Sequence, residues 1–318
     1  MLPLPDEPLP ALAERVWGLL QDRAPFAAPG APVTPHADVV LRSSGSSAAA
    51  KNVGHTYASV DWAAQAGTAV IGRHRWLLVL SPVSAGGFMS LARSEAPPLI
   101  WPGLGARFDA EALTAWYPGG ATGISLVSTQ LARLLTVAPA LLQSMAVVLV
   151  GGGPLRAPLR QRCEDLGIRV ISTYGATETL GGCVYDGIPL AGVKVSLQDG
   201  QILLDGPNVA ASYIPGPLLD HPWPTGDLGG WENGRLQVLG RLDDMVTVKG
   251  VNRHLHEYEE QALRRPGVLE AVAVAVPDEV DGYRVEVFVE DGQHRLPRLP
   301  TGKPDRQALL RRARGDSR

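Results

Sequence analysis

Two cysteines, four phenylalanines and four methionines are all that this 318-residue chain holds of these residues. Cys163 and Cys183 match no metal-ligand spacing and are too few to staple a fold of this size. A cysteine zinc site and a disulfide framework are excluded, and reduced structural thiols are expected. Neither sign of charge prevails: 29 basic and 32 acidic side chains leave a formal net charge of -3. No global field draws nucleic acid, and no basic stripe with interleaved aromatics is present, so a nucleic-acid partner is not expected. Long apolar runs are lacking too, since stretches such as 145–150 and 271–276 are far too short to cross a bilayer. The opening Met1-Leu2-Pro3-Leu4-Pro5-Asp6-Glu7 has neither the basic start nor the apolar core of a signal peptide, which points to a cytoplasmic protein. A Gly-x-Ser-x-Gly elbow is missing as well, leaving a hydrolase reading without support.

What the chain does have is 45% hydrophobic residues, 36 glycines and 27 prolines, the composition of a globular protein with many turns. Its length suits one large domain and one small one. Short apolar runs at 38–41, 76–80, 146–150 and 169–172 are each followed by glycine-rich turns and helical patterns. Such runs suit strands of a parallel sheet covered by helices on both faces, which makes the fold class α/β. In such sheets ligands sit at the carboxyl ends of the strands, here 43–51, Gly151-Gly152-Gly153 and 174–178. From about residue 188 shorter strands at 193–197, 201–204 and 235–239 predict a β-rich subdomain. A last α+β unit is expected from 242, with a helix over 255–264 and strands over 269–276 and 284–290. The expected domains are therefore 1–241 and 242–318. The proline-rich first 35 residues read as a loosely ordered lead-in around one helix, 9–22.

Five segments carry chemistry. Ser43, Ser44, Gly45, Ser46, Ser47 and Lys51 lie in a loop after a strand, dense in hydroxyls and able to turn N–H groups toward phosphate oxygens. The same residues suit a flexible Ser/Ala linker. In Tyr174-Gly175-Ala176-Thr177-Glu178 an aromatic face can stack on a base, a hydroxyl can bond phosphate, and a carboxylate can hold Mg²⁺. The alternative is a plain strand exit with Thr177 as a helix cap. Asp227, in Thr225-Gly226-Asp227, is either an Asx-turn acid or a carboxylate able to accept two ribose hydroxyls. Arg241-Leu242-Asp243-Asp244 can be a surface charge cluster, and Lys303 in Pro300-Thr301-Gly302-Lys303-Pro304-Asp305-Arg306 a solubilising residue. As a catalyst Lys303 would bring a point charge to a phosphoryl transition state. His254 and His256 beside Glu257 and Glu259 have metal-ligand chemistry but read as the solvent-facing start of a helix.

Four of these strings occur in a fixed order, and together they resemble the acyl-adenylate-forming superfamily of acyl-CoA synthetases, over about residues 38–306. The resemblance implies an adenylate-forming enzyme fold whose small C-terminal domain is mobile. It makes 43–51 the counterpart of the phosphate loop T-S-G-S-T-G-x-P-K, with Ala48 and Ala50 in place of a glycine and a proline. It implies that Gly152 lies beside the nucleotide, that Tyr174 stacks on adenine, that Thr177 bonds the α-phosphate and that Glu178 holds the metal. Asp227 and Arg241 would contact ribose, Asp243 would be the hinge, and Lys303 the catalytic lysine. ATP, Mg²⁺ and the co-substrate CoA are implied, with Lys249 of Val248-Lys249-Gly250 facing CoA. The implied reaction converts a carboxylic acid to an acyl-adenylate and then to a thioester.

Residues 181–190 and 127–135 are similar to those of the actinobacterial type of o-succinylbenzoate-CoA ligase, an activity of menaquinone biosynthesis. That resemblance implies an acyl pocket kept open by Gly181 and Gly182 and lined by Ser128, Thr129 and Gln130. The start of an amphipathic helix explains 127–135 equally well. Two departures stand out: 81–87 lacks the histidine these ligases carry there, and the segment ahead of the loop is short. Two other readings stay open, an adenylating enzyme for another aryl or small carboxylate and a non-catalytic nucleotide-binding relative. The oligomeric order is open, a homodimer among the options.

Overall fold

The computed structural model describes residues 1–43, 51–278, 281–291, 293–298 and 304–316. Internal contacts divide these into two units. The first runs to Val195 and includes Leu204–Trp223; the second holds Ser196–Leu203 and the described residues from Pro224 onward. The strand Trp223–Glu232, paired from Asp227 to Glu232 with Arg235–Arg241, lies in the second unit from Pro224 onward.

The first unit is built on a seven-stranded sheet of described strands. Its order is Ile188–Pro189, Gly181–Tyr185, Val170–Ala176, Val147–Gly151, Gly123–Val127, Trp76–Leu78 and Leu99–Ile100. The last five are mutually parallel, and the first two form an antiparallel edge. Consecutive residues of one strand feed opposite cores: Leu77 packs with Leu113, Leu131 and Leu142, whereas Leu78 packs with Leu12, Phe26 and Phe88. Both faces are thus covered by helices, as the unbroken apolar runs required.

Two expectations fail here. The strand at 38–41 does not join the parallel sheet. As Val39–Arg42 it lies in a separate described sheet of Leu2–Pro3, Phe26–Ala27, Val39–Arg42, Asn52–His55 and Ser212–Tyr213. It pairs antiparallel with Asn52–His55, so the loop after it is a hairpin and not a strand-to-helix turn. The first 35 residues are no loose lead-in either. The helix Leu9–Gln21 buries Leu12, Ala13 and Val16, and the Tyr57 hydroxyl donates to the carbonyls of Leu19 (3.2 Å) and Ala24 (2.9 Å).

The second unit contains two described sheets. One is ordered Lys194–Gln198, Gln201–Asp205, Trp223–Glu232 and Arg235–Arg241, the strands Lys194–Gln198 and Trp223–Glu232 beginning within the first unit. The other is ordered Val251–His254, Met245–Val248, Gly282–Glu290 and Glu270–Asp278, with antiparallel pairing. On it pack the helices Leu255–Leu263 and Arg306–Arg314, the latter through Leu309 and Ala313 against Val272, Val274 and Val276. No described helix is long and apolar enough to cross a membrane.

Candidate active site

The loop 43–51 begins and ends in a clasp. The Ser43 N–H donates to the Lys51 carbonyl (2.8 Å), and the Lys51 N–H donates to the Ser43 hydroxyl (2.9 Å). Ser44, Gly45, Ser46 and Ser47 lie outside the described residues. The Lys51 ammonium stands 4.6 Å from the centre of the Tyr213 ring, a cation–π distance.

Tyr174 lies in the strand Val170–Ala176, whose end passes into the short 3₁₀ turn Thr177–Thr179. Thr177 is not the cap of this turn: Thr179 closes it, its hydroxyl accepting from the Ala176 N–H (2.9 Å) and lying 2.9 Å from the Gly181 carbonyl. Three successive carbonyls are held from other elements. Thr177 accepts from His55 Nε2 (2.9 Å), Glu178 from the Ala210 N–H (2.7 Å), and Thr179 from Asn208 Nδ2 (3.1 Å). Glu178 is only 8% exposed, and its Oε1 accepts from the Tyr213 hydroxyl at 3.0 Å. Burial, with the Glu178 carboxylate beside it, pushes the Tyr213 phenol up to about 12, so this hydroxyl stays a donor at physiological pH.

His55 has no exposed surface, and desolvation lowers its imidazole to about 4. The ring is therefore neutral near pH 7, and since a carbonyl only accepts, Nε2 carries the proton. Its Nδ1 has no hydrogen-bond partner among the described residues, a burden on the order of 1–3 kcal/mol for a buried acceptor.

Two glycines are required by close approach. A Cβ on Gly175 would sit 1.9 Å from the Gly181 carbonyl oxygen, and one on Gly182 2.6 Å from the Thr173 Cβ. Gly182 borders the irregularity where Gly181–Tyr185 slips register against Val170–Ala176. Gly175→Ala is expected to push the Thr177–Thr179 turn out of place, because the opposing atom is backbone and cannot swing aside. The expected cost is about 2 kcal/mol in urea unfolding and more than tenfold in turnover. A variant as stable and active as the parent would refute this packing.

Gly152 takes the left-handed conformation (φ 75°) just after the strand Val147–Gly151. Gly181 lies against Ala85, 3.6 Å from a built Cβ to the Ala85 carbonyl oxygen. The edge hairpin thus meets the segment that lacks the histidine, where Ser84 caps the helix Ala85–Ala92 instead. The helix Ser128–Val137 starts on side-chain bonds that need no ligand. The Ser128 hydroxyl donates to the Pro154 carbonyl (2.8 Å), and the Gln130 Oε1 accepts from the Val127 N–H (3.0 Å). Thr129 stands between them at the first turn.

In the second unit, Asp227 and Arg241 are register partners on paired strands. The Arg241 guanidinium donates to Asp227 Oδ1 (3.2 Å) and grips both carboxylate oxygens of Asp243 (2.7 and 3.2 Å). The bond to Asp243, opposed by desolvation, raises the Arg241 pKa and keeps it charged. Lys249 is at the tip of a hairpin, in the left-handed conformation (φ 53°), 3.8 Å from Asp281 Oδ2. Lys303 lies outside the described residues. The residues flanking its loop are anchored: Arg298 lies 2.6 Å from both Glu270 and Glu290, and Arg306 2.6 Å from Glu259.

No group of three or more potential metal ligands exists among the described residues. Mg²⁺ needs none: it is commonly held by one or two carboxylates plus substrate phosphates, and the buried Glu178 carboxylate fits that donor set. His55, Asn208 and Tyr213 were not marked by the sequence. His55 has the signature of an ordinary core residue, and the other two act through single bonds to a distant turn.

Comparison with known proteins follows the same lines. The sequence profile of the AMP-binding enzyme family matches residues 14–214. A probable 2-succinylbenzoate–CoA ligase of Mycobacterium tuberculosis is 33% identical over 288 residues, covering 76% of this chain and 75% of that one. The 2-succinylbenzoate–CoA ligase of Bacillus mycoides is 31% identical over 79% of this chain, but the match spans only 59% of its length. Among solved structures, an o-succinylbenzoate coenzyme A synthetase from Bacillus subtilis, in complex with ATP and magnesium ion, superposes with a TM-score of 0.70. That likeness, at 24% identity over 86% of this chain and 69% of the other, establishes the fold. The chain belongs to the AMP-binding enzyme family.

Proposed function

We propose that this protein is an AMP-forming acid–CoA ligase that activates o-succinylbenzoate in menaquinone biosynthesis, in the cytoplasm. One observation carries the nucleotide chemistry: Tyr213 takes Lys51 on its ring and the Glu178 carboxylate on its hydroxyl. A single tyrosine thereby joins the phosphate loop to the acid-bearing turn, two motifs far apart in sequence. The choice of acid rests on the likeness to the Mycobacterium tuberculosis ligase.

In the first step a carboxylate oxygen of the acid attacks the α-phosphorus of ATP. The bond to the bridging oxygen breaks, and pyrophosphate leaves. Ser43 to Ser47, Lys51 and Gly152 hold phosphate oxygens, Tyr174 stacks on adenine, and the Thr177 hydroxyl donates to the α-phosphate. Asp227 and Arg241 receive the ribose hydroxyls. Mg²⁺ bound at Glu178 supplies charge neutralisation between phosphate oxygens. Lys303 offsets the charge that develops at phosphorus. In the second step the CoA thiolate, steered by Lys249, attacks the acyl carbon and AMP leaves. Residues 242–318 are the moving part and Asp243 the pivot that exchanges Lys303 for Lys249 between steps. The acyl group is accepted beside Gly181 and Gly182, with Ser128, Thr129 and Gln130 at its margin.

The test is pyrophosphate release from purified protein with Mg·ATP and o-succinylbenzoate, with and without CoA. Release that requires the acid, and sustained turnover that requires CoA, are the expected results. Release with other aryl or fatty acids but not this one would reassign the substrate. No release with any acid would reduce the protein to a nucleotide-binding relative.

A further inference from the structure

We propose that His55 and Tyr213 are positioning residues, a double clasp that holds the Thr177–Glu178 turn in register with the phosphate hairpin. The inference rests on the adenylation reading above and assigns to it two side chains that touch the turn rather than the reacting atoms.

The argument begins with the strands. Asn52–His55 is the return strand of the hairpin whose loop starts at Ser43, and Ser212–Tyr213 pairs with it antiparallel, Ser212 opposite Gly54 and Tyr213 opposite Val53. The two clasp residues therefore come from adjacent strands of one small sheet. The strand Val170–Ala176 that leads into the turn belongs to the other, seven-stranded sheet. His55 Nε2 reaches the Thr177 carbonyl at 2.9 Å, and the Tyr213 hydroxyl reaches the Glu178 carboxylate at 3.0 Å. The Thr177 carbonyl also accepts from the Leu180 N–H (3.1 Å), which closes the turn, so His55 grips the atom on which the turn depends. Both donors are fixed in kind, a neutral buried imidazole and a phenol that keeps its proton.

A core position needs no histidine. An apolar side chain at 55 would pack without a bare Nδ1, yet the chain carries a ring with one nitrogen bonded to the turn and the other without a partner among the described residues. What the ring adds is the bond from one sheet to the turn of the other. Lys51, at the foot of the same return strand, lies on the Tyr213 ring, so loop, strand and turn form one connected set. Any setting of the hairpin suited to phosphate is thereby a setting of Thr177 and Glu178.

Four variants test this: His55→Gln, His55→Leu, Tyr213→Phe and the double variant His55→Leu/Tyr213→Phe. Each is measured for thermal stability, for Mg·ATP affinity by calorimetry and for kcat and KM of pyrophosphate release. His55→Leu and Tyr213→Phe are each expected to lower kcat about tenfold, with KM for the acid within about twofold, because a misplaced turn harms the transition state more than acid binding. His55→Gln, whose amide can donate to the same carbonyl, is expected to retain activity within about threefold of the parent. The double variant is expected to lose less than the product of the two single losses, since both act through one turn. Mg·ATP binding is expected to weaken about three- to tenfold in His55→Leu and Tyr213→Phe. That readout needs no acid, so it still decides the proposal if o-succinylbenzoate proves not to be the substrate. Folded His55→Leu and Tyr213→Phe proteins with parental kcat and Mg·ATP affinity would overturn it. A His55→Gln protein as impaired as His55→Leu at equal stability would do the same. Should His55→Leu fail to fold, Tyr213→Phe, which removes one hydroxyl and leaves the ring under Lys51, decides alone.

Discussion

Glu178→Gln is expected to lower kcat/KM for pyrophosphate release by about a hundredfold or more at ordinary magnesium concentrations, and to raise the magnesium needed for half-maximal rate by at least about tenfold. Glutamine keeps the shape of the side chain and an oxygen to accept from Tyr213, now at 3.0 Å from Oε1, so the turn should survive. What goes is the negative charge, and Mg²⁺ favours anionic oxygen over an amide carbonyl. Glu178 is the acid of the Tyr174–Glu178 motif and is almost fully buried, so bulk water cannot readily replace its contribution. Electrostatic contacts of this kind contribute about 3–4 kcal/mol to a transition state when placed in a closed site. A titration of rate against magnesium for both proteins is the measurement. Superimposable curves would remove Glu178 from the metal site, whereas a loss independent of magnesium would move its role to the turn alone.

How much of this was legible in the sequence differs between elements. The strands Val147–Gly151 and Val170–Ala176 were readable because each opens on a short buried apolar run, Val147 to Val150 in the one and Val170-Ile171 in the other. The run at 39–41 obeys the same pattern and is also fully buried, yet it belongs to another sheet and turns back in a hairpin. Burial from both sides is a local property that sequence carries. The identity of the neighbouring strand is not: here it is Phe26–Ala27 on one side and Asn52–His55 on the other, and Ser212–Tyr213 joins the sheet only beyond the latter. The opening segment misled for the opposite reason. Its prolines suggested loose chain, but Leu12, Ala13 and Val16 lie three to four apart on one helical face and bury completely.

Ordered motifs singled out Tyr174, Thr177, Glu178, Asp227 and Arg241 as candidates, and the structure brings Asp227, Arg241 and Asp243 into one ion cluster. Ser128 and Gln130 illustrate a limit: residues with ligand chemistry also make good helix caps, and here both have backbone partners. His55, Asn208 and Tyr213 were illegible because their work is done on carbonyls and a carboxylate of a turn 29 to 122 residues away in sequence. No spacing rule in a single sequence encodes a bond of that kind.

Lys303→Ala is expected to slow acyl-adenylate formation by about 100- to 1000-fold, while conversion of supplied acyl-adenylate and CoA to thioester stays within about threefold. The first figure follows from removing one preorganised positive charge from a phosphoryl transition state. The second follows from the proposed exchange of roles, in which Lys303 has left before the thiolate attacks. Collapse of the small domain would not explain the expected loss. Arg298 is held by Glu270 and Glu290, Asp305 caps the helix Arg306–Arg314 by accepting from the Ala308 N–H (2.9 Å), and Arg306 donates to the Ala273 carbonyl (2.9 Å). None of these bonds involves the lysine side chain, so melting temperature should not change. Lys303→Arg is expected to recover little, since a guanidinium is larger and planar where a compact charge is wanted. The decisive assay separates the two half-reactions: pyrophosphate exchange for the first and thioester formation from chemically made acyl-adenylate for the second. Equal losses in both would make Lys303 a general binding residue and remove the pivot from the mechanism; no loss in either would place the catalytic charge elsewhere in the chain.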